Sequence, residues 1–151
     1  MADARAVPFT DDEVHAQAVG NANVFALALV AYARTQGQAP AAVVRWLGQR
    51  LAPGWSEEGI DGARAAARTA ALNVVSLGGE LRSLSGDERQ AEATVTGWPE
   101  AELLGVFSLS QEEADTLQEA FVPIGERLGL RFAWRREGET LTLSFTQAES
   151  A

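Results

Sequence analysis

The sequence predicts an α+β domain: three N-terminal helices, then hairpin, helix and hairpin, giving an antiparallel sheet of about four strands packed on helices. Three observations lead there. Apolar residues recur at helical spacing as far as Leu77, the spacing drops to every second residue after Gly78-Gly79, and two capping boxes mark helix starts. A chain of 151 residues, 46% apolar and 22% charged, suits one core. At that length folding buries roughly 70% of the surface exposed by the unfolded chain. Residues 1–151 are read as one domain, with 1–6 and 148–151 expected to fray.

The first helix opens at Thr10-Asp11-Asp12-Glu13, where the Thr10 hydroxyl can accept from the Glu13 amide and Glu13 can reach back. Phe9 and Val14 are placed to staple that entry. From Asp11 to about Thr35, the residues Ala18, Ala22, Phe25, Ala26, Leu29 and Ala33 share one side and form the expected buried stripe. Gly37 is the stop. A second helix, Pro40 to about Leu51, carries Val43, Val44, Trp46, Leu47 and Leu51, and Pro53-Gly54 should end it. Ser56 reads as the cap of a third helix, roughly Glu57 to Ser76, with the stripe Ile60, Ala63, Ala67, Ala70, Val74 and Leu77. So many alanines let a neighbouring backbone come close, so this helix is expected to be central and packed against the first. Gly59 and Gly62 weaken its first turns.

Glu80 to Leu84 and Arg89 to Thr96 alternate as a hairpin around Ser85-Gly86-Asp87-Glu88, with Ala91, Ala93 and Val95 on one face. A short turn of helix at Glu100 to Leu104 follows Gly97-Trp98-Pro99. Ser110-Gln111-Glu112-Glu113 is the second capping box, opening a helix with the apolar face Ala114, Leu117, Phe121, Ile124 and Leu128. Pro123 lies well inside it and should kink it near Phe121. Gly129 stops it. In the last hairpin a turn at Glu137-Gly138 would set Trp134 opposite Leu141, Phe132 opposite Leu143 and Leu130 opposite Phe145, all facing one way.

Charge and composition exclude whole classes of function. Twenty-one acidic residues face 12 basic ones, all arginine, and the net charge of −9 repels phosphate backbones, so no nucleic-acid partner is expected. Arg131, Arg135 and Arg136 cluster beside Glu137 and Glu139; they read as a solvated hairpin end, with a phosphate site as the other reading. No cysteine is present, which rules out thiol catalysis, thiolate metal sites and disulfides. The longest apolar run, Val24 to Ala33, is shorter than the roughly 20 residues that span a bilayer. Asp11-Asp12-Glu13 stands where an export signal would have an apolar core, so a cytoplasmic location without a membrane partner is expected.

His15 is the lone histidine, with Asp11 and Asp12 one turn before it; a lone imidazole does not make a metal site, and no metal or cofactor is expected. The acidic pairs Asp11-Asp12, Glu57-Glu58 and Glu112-Glu113 all fall at expected helix starts, where the macrodipole accounts for them. No acidic residue interrupts an apolar face, so a paired-carboxylate mechanism finds no support. Serine catalysis lacks its Gly-x-Ser-x-Gly turn, and no catalytic residue is assigned. The four tryptophans stand out: Trp46 and Trp134 belong to apolar faces, while Trp55 and Trp98 lie beside prolines. They either fill the core or line a gap between helices and sheet that holds an apolar or aromatic ligand. The candidate ligand-contacting residues are Trp46, Trp134, His15, Tyr32 and Phe121.

The segment from Phe132 to Phe145, preceded by the helix from Ser110, resembles the end of vinyl-reductase-type domains. Those bind small molecules and are similar in fold to the small subunits of TRAPP vesicle-tethering complexes. The resemblance covers roughly residues 78–146 and rests on layout plus Gly138-Glu139. Members of that family carry cysteines here and this chain has none, so no metal, thiol or site residue is carried over. The leading expectation is a non-enzymatic domain that binds a small apolar or aromatic ligand as a sensor or carrier. The alternative is a homodimeric interaction module, and an enzyme ranks third.

Overall fold

The computed structural model describes residues 8–149, so the expected fraying of 1–6 and of 150–151 lies outside it. At the C-terminal end Ala148 is held, its amide donating to the Gly129 carbonyl at 3.0 Å. The elements follow the expected order, with three N-terminal helices and a four-stranded antiparallel sheet.

Helix α1 (Asp11–Thr35) starts at the expected capping box: Thr10 Oγ1 accepts from Glu13 N, and Glu13 Oε2 accepts from Thr10 N at 2.8 Å. Its buried face matches the expected one only at Ala33. Asn23, Leu27, Val30, Ala31 and Ala33 are buried, whereas Ala18 and Ala22 are exposed and Phe25 is 75% exposed. This helix is apolar on every side, so hydrophobic spacing cannot choose a face. Polar anchors choose it. Asn23 Nδ2 donates to the Leu77 carbonyl, and the Arg34 guanidinium donates to Ser108 O at 3.0 Å.

Helix α2 (Pro40–Glu57) runs straight through Pro53-Gly54, where a stop was expected. An internal proline costs about 3 kcal/mol, and packing offsets it: Ala52 is buried, and Trp55 meets Phe121 edge-on at 5.7 Å. Ser56 caps nothing; its hydroxyl donates back to Pro53 O. Helix α3 (Gly62–Ser76) therefore begins five residues later than expected, after a left-handed turn at Gly59 with φ +74°. Its stripe of Ala63, Ala66, Ala67, Ala70, Ala71 and Val74 is buried, but against the sheet rather than against α1.

Strands β1 (Glu80–Gly86) and β2 (Gln90–Thr96) form the first hairpin, with a bulge between Leu81 and Ser83. Helix α4 (Ala101–Phe107) extends the short turn expected there. The helix expected from Ser110 is three pieces: α5 (Gln111–Asp115), a 3₁₀ stretch (Thr116–Ala120) and α6 (Phe121–Arg127). The interruption just before Phe121 matches the expected kink. It also places Pro123 in the first turn of a new helix, where its missing N–H costs little.

Strands β3 (Leu130–Glu137) and β4 (Thr140–Gln147) complete a sheet in the order β1-β2-β4-β3. Here the expected register is wrong by two residues: Trp134 pairs with Leu143, Phe132 with Phe145 and Arg136 with Leu141. The loop is Gly138-Glu139, with Gly138 first at φ +60°, the glycine position of a type II′ turn. A slip of two keeps every side chain on its face, so Leu130, Phe132, Leu141, Leu143 and Phe145 are buried as expected. Helix α3 covers the inner face over β1, β2 and β4, while α6 lies on β3; α2 packs on α6, and α1 on α2, α4 and α5.

Candidate functional site

The five candidates do not converge. His15 lies exposed on the second turn of α1, and Tyr32 is 65% exposed near its other end. Trp46 is 56% exposed on α2, with the Arg50 guanidinium over its ring at 5.4 Å. Trp134 is half-buried on β3 and donates from Nε1 to Glu119 Oε1 at 3.1 Å; Glu119 also takes Arg45. Trp46 and Trp134 line no common cavity among those found in the described residues. Phe121 is buried in an aromatic row, meeting Trp55 on one side and Phe132 at 5.4 Å on the other.

Phe121 also faces an apolar cleft of about 220 Å³ set among the helices. Ala26 of α1, Leu47, Leu51 and Trp55 of α2, and Val74 of α3 form its sides; Leu117, Gln118 and Ile124 complete it. Its position follows from the two corrections above. Because α2 continues past Pro53, Trp55 reaches Phe121; because α3 sits on the sheet, a gap is left between α3 and α1. No charged side chain lines the cleft, and its polar groups are Asn73 and Gln118. Gln118 is 3% exposed, and its Oε1 is buried without a hydrogen-bond partner. An unpaired buried oxygen of this kind costs about 1–3 kcal/mol.

A second polar group is fully satisfied and ties the fold together. Asp115, 1% exposed on α5, receives Arg136 as a fork: Nε to Oδ2 at 2.5 Å and Nη2 to Oδ1 at 2.7 Å. Arg136 also donates to Trp98 O at 2.9 Å, and the Trp98 indole donates to Asn23 Oδ1 at 2.8 Å. This clamp joins β3, α5, the connection after β2, and α1. It overturns two expectations: Arg136 is not at a solvated hairpin end, and an acidic residue does interrupt an apolar face. Alternation from Leu130 through Phe132 and Trp134 puts Arg136 on the inner face, which was the available signal. At the start of α5, Glu113 is held below its ordinary value by the Ser110 amide and then by Arg34, whose Nη1 lies 2.8 Å away.

Of the missed cleft residues, Trp55 was detectable as the continuation of the Val44, Gly48, Ala52 face across Pro53. Gln118 shares a helix face with Ala114 and Phe121, a polar residue among apolar ones. Among the described residues, no group of three or more His, Asp or Glu side chains comes together to hold a metal ion. Neither a protein-family model nor a curated protein matches this chain.

Proposed function

We propose that the chain is a non-catalytic cytoplasmic binding domain that holds a small neutral molecule in the cleft bounded by Trp55, Phe121 and Gln118. The unpartnered Gln118 oxygen, in a cleft whose other lining side chains are apolar apart from Asn73, carries this reading. Cavities of about 150 Å³ lined by apolar side chains accommodate benzene. A cleft of about 220 Å³ suits one aromatic ring with a short substituent. The last torsion of a glutamine is soft, so the carboxamide can turn its oxygen toward an N–H or O–H on that substituent. The uncharged lining selects against ionic ligands. The layout resembling vinyl-reductase-type small-molecule-binding domains is consistent with this use.

The test compares donor-bearing ring compounds (phenols, indoles, anilides) with matched hydrocarbons by indole emission and thermal melting. At a hundredfold excess over Kd a ligand of the folded state stabilises by about 2.7 kcal/mol, roughly 5–10 °C in Tm for a chain of this size. Donor-bearing compounds should bind more tightly, and Gln118→Leu should erase that preference while hydrocarbon binding survives. If no compound of either set moves Tm or emission, or if Gln118→Leu leaves the preference intact, the reading fails.

A further inference from the structure

Helix α1 has two apolar faces, and among the described residues the rest of the domain covers one. Asn23, Leu27, Val30 and Ala31 point inward. On the opposite side Val14, Ala18, Asn21, Phe25, Ala28 and Tyr32 follow at alternating spacings of four and three. Phe25 is 75% exposed, Tyr32 65% and Val14 56%. This is the heptad spacing of a helix that packs along another helix. From Val14 to Ala33 the sequence contains no Asp, Glu, Lys or Arg. A helix apolar all round belongs in an interior, and here one side faces outward.

We propose that this outer face of α1 pairs with the same face of a second copy of the chain, antiparallel about a two-fold axis. The stripe is self-complementary, as a two-fold contact requires. Centred at position 23, the pairing sets Val14 against Tyr32, Asn21 against Phe25 and Ala18 against Ala28. Large side chains meet smaller ones, and the alanine layers let the axes approach. Charge selects the same arrangement. At −9 the chain repels its own copies over most of its surface, but not along an uncharged stripe. Parallel helices would bring the two Asp11-Asp12-Glu13 clusters together; antiparallel ones in this register hold them about 33 Å apart along the axis, with each cluster opposite the Arg34 end of the other helix. Phe25 and Tyr32 expose about 300 Å² between them, over a third of the roughly 800 Å² each partner gives a standard interface. Exposed Val14 and Val24 add to it.

By length and apolar content α1 also meets the measure of a membrane-crossing helix. Its inner face is nevertheless tied to the domain through Asn23 to Leu77 and through Arg34 to Glu113, which favours a protein partner over a bilayer.

Light scattering across a wide concentration range should give a mass of twice 16.1 kDa for the wild type and 16.1 kDa for Phe25→Glu, with unchanged circular dichroism. Because the chain has no cysteine, Ala18→Cys and Ala28→Cys chains can be mixed and oxidised. They should cross-link to each other and not to themselves. This second measurement stands even if Phe25→Glu disturbs folding. A wild type that stays at the single-chain mass, a dimer that survives Phe25→Glu, or cross-links within either cysteine variant alone would overturn the proposal. So would flotation of the wild type with phosphatidylcholine vesicles in place of a dimer. Ring-compound binding at the Gln118 cleft is expected to be the same in Phe25→Glu, so the two proposals fail separately.

Discussion

Gly48 sits where α2 comes closest to the chain beneath it. A Cβ added there would lie 2.1 Å from the Ala120 carbonyl oxygen and 2.8 Å from Pro123 Cγ. Ordinary contact begins near 3.4 Å, so α2 and the start of α6 would have to part by more than an ångström. The obstacle is backbone and a proline ring, neither of which swings aside. Overpacking of this severity costs about 3 kcal/mol, and the better helix propensity of alanine returns about 1. Gly48→Ala should therefore destabilise by about 2 kcal/mol, lowering Tm by roughly 4–8 °C. Gly20→Ala in α1 is the control: nothing lies within 4 Å of its added Cβ, so the propensity gain stands alone and Tm should rise by about 2–4 °C. Thermal unfolding followed by circular dichroism separates the pair. Equal shifts, or a Gly48→Ala chain as stable as the wild type, would show that α2 does not seat on Ala120 as described. Because the same contact holds Trp55 against Phe121, Gly48→Ala should also weaken ring-compound binding at the cleft.

Asp115→Ala leaves the nearly buried Arg136 without its counter-charge, with only the Trp98 carbonyl to accept from it, and should cost about 3–5 kcal/mol in denaturant unfolding; a loss below about 1 kcal/mol would mean the clamp is dispensable. Trp46→Ala removes a side chain that is 56% exposed, so stability should change by less than about 1 kcal/mol. A loss typical of a core tryptophan would contradict that placement. Glu113 is held below its ordinary value of 4.5, so its contribution is complete above that pH and disappears as pH falls through the lowered folded value. Glu113→Gln should accordingly be less stable than wild type near neutrality and converge with it in acid; a gap that persists at low pH would point to packing instead of charge.

Some local readings held and others, the Pro53-Gly54 stop and the Ser56 cap, did not. Both capping boxes form because each needs only residues three apart, and Gly37 and Gly129 adopt the left-handed conformation expected where their helices stop. The face of each core strand was legible too, since alternation survives a register shift of two. The shift itself was not, because Glu137-Gly138 and Gly138-Glu139 are both acceptable hairpin loops. Of the ligand candidates, Phe121 alone lines the cleft that forms. Trp46 shares the apolar composition of α2, but composition does not say which side of α2 meets α6.

The sequence by itself determined the fold class, the order of elements and which strand residues face the helices, because those follow from spacing, caps and turn residues within a few positions of one another. Only the tertiary structure decided that α2 outlasts Pro53, that α3 lies on the sheet, and that α1 docks by Asn23 and leaves Phe25 outside. It also decided the Asp115–Arg136 clamp and the Gln118 cleft. These rest on partners 21 to 75 residues apart, such as Asp115 with Arg136 and Asn23 with Trp98. For a helix as uniformly apolar as α1, every face is equally hydrophobic. A few directional hydrogen bonds from distant segments, not the hydrophobic pattern, therefore set which face turns inward.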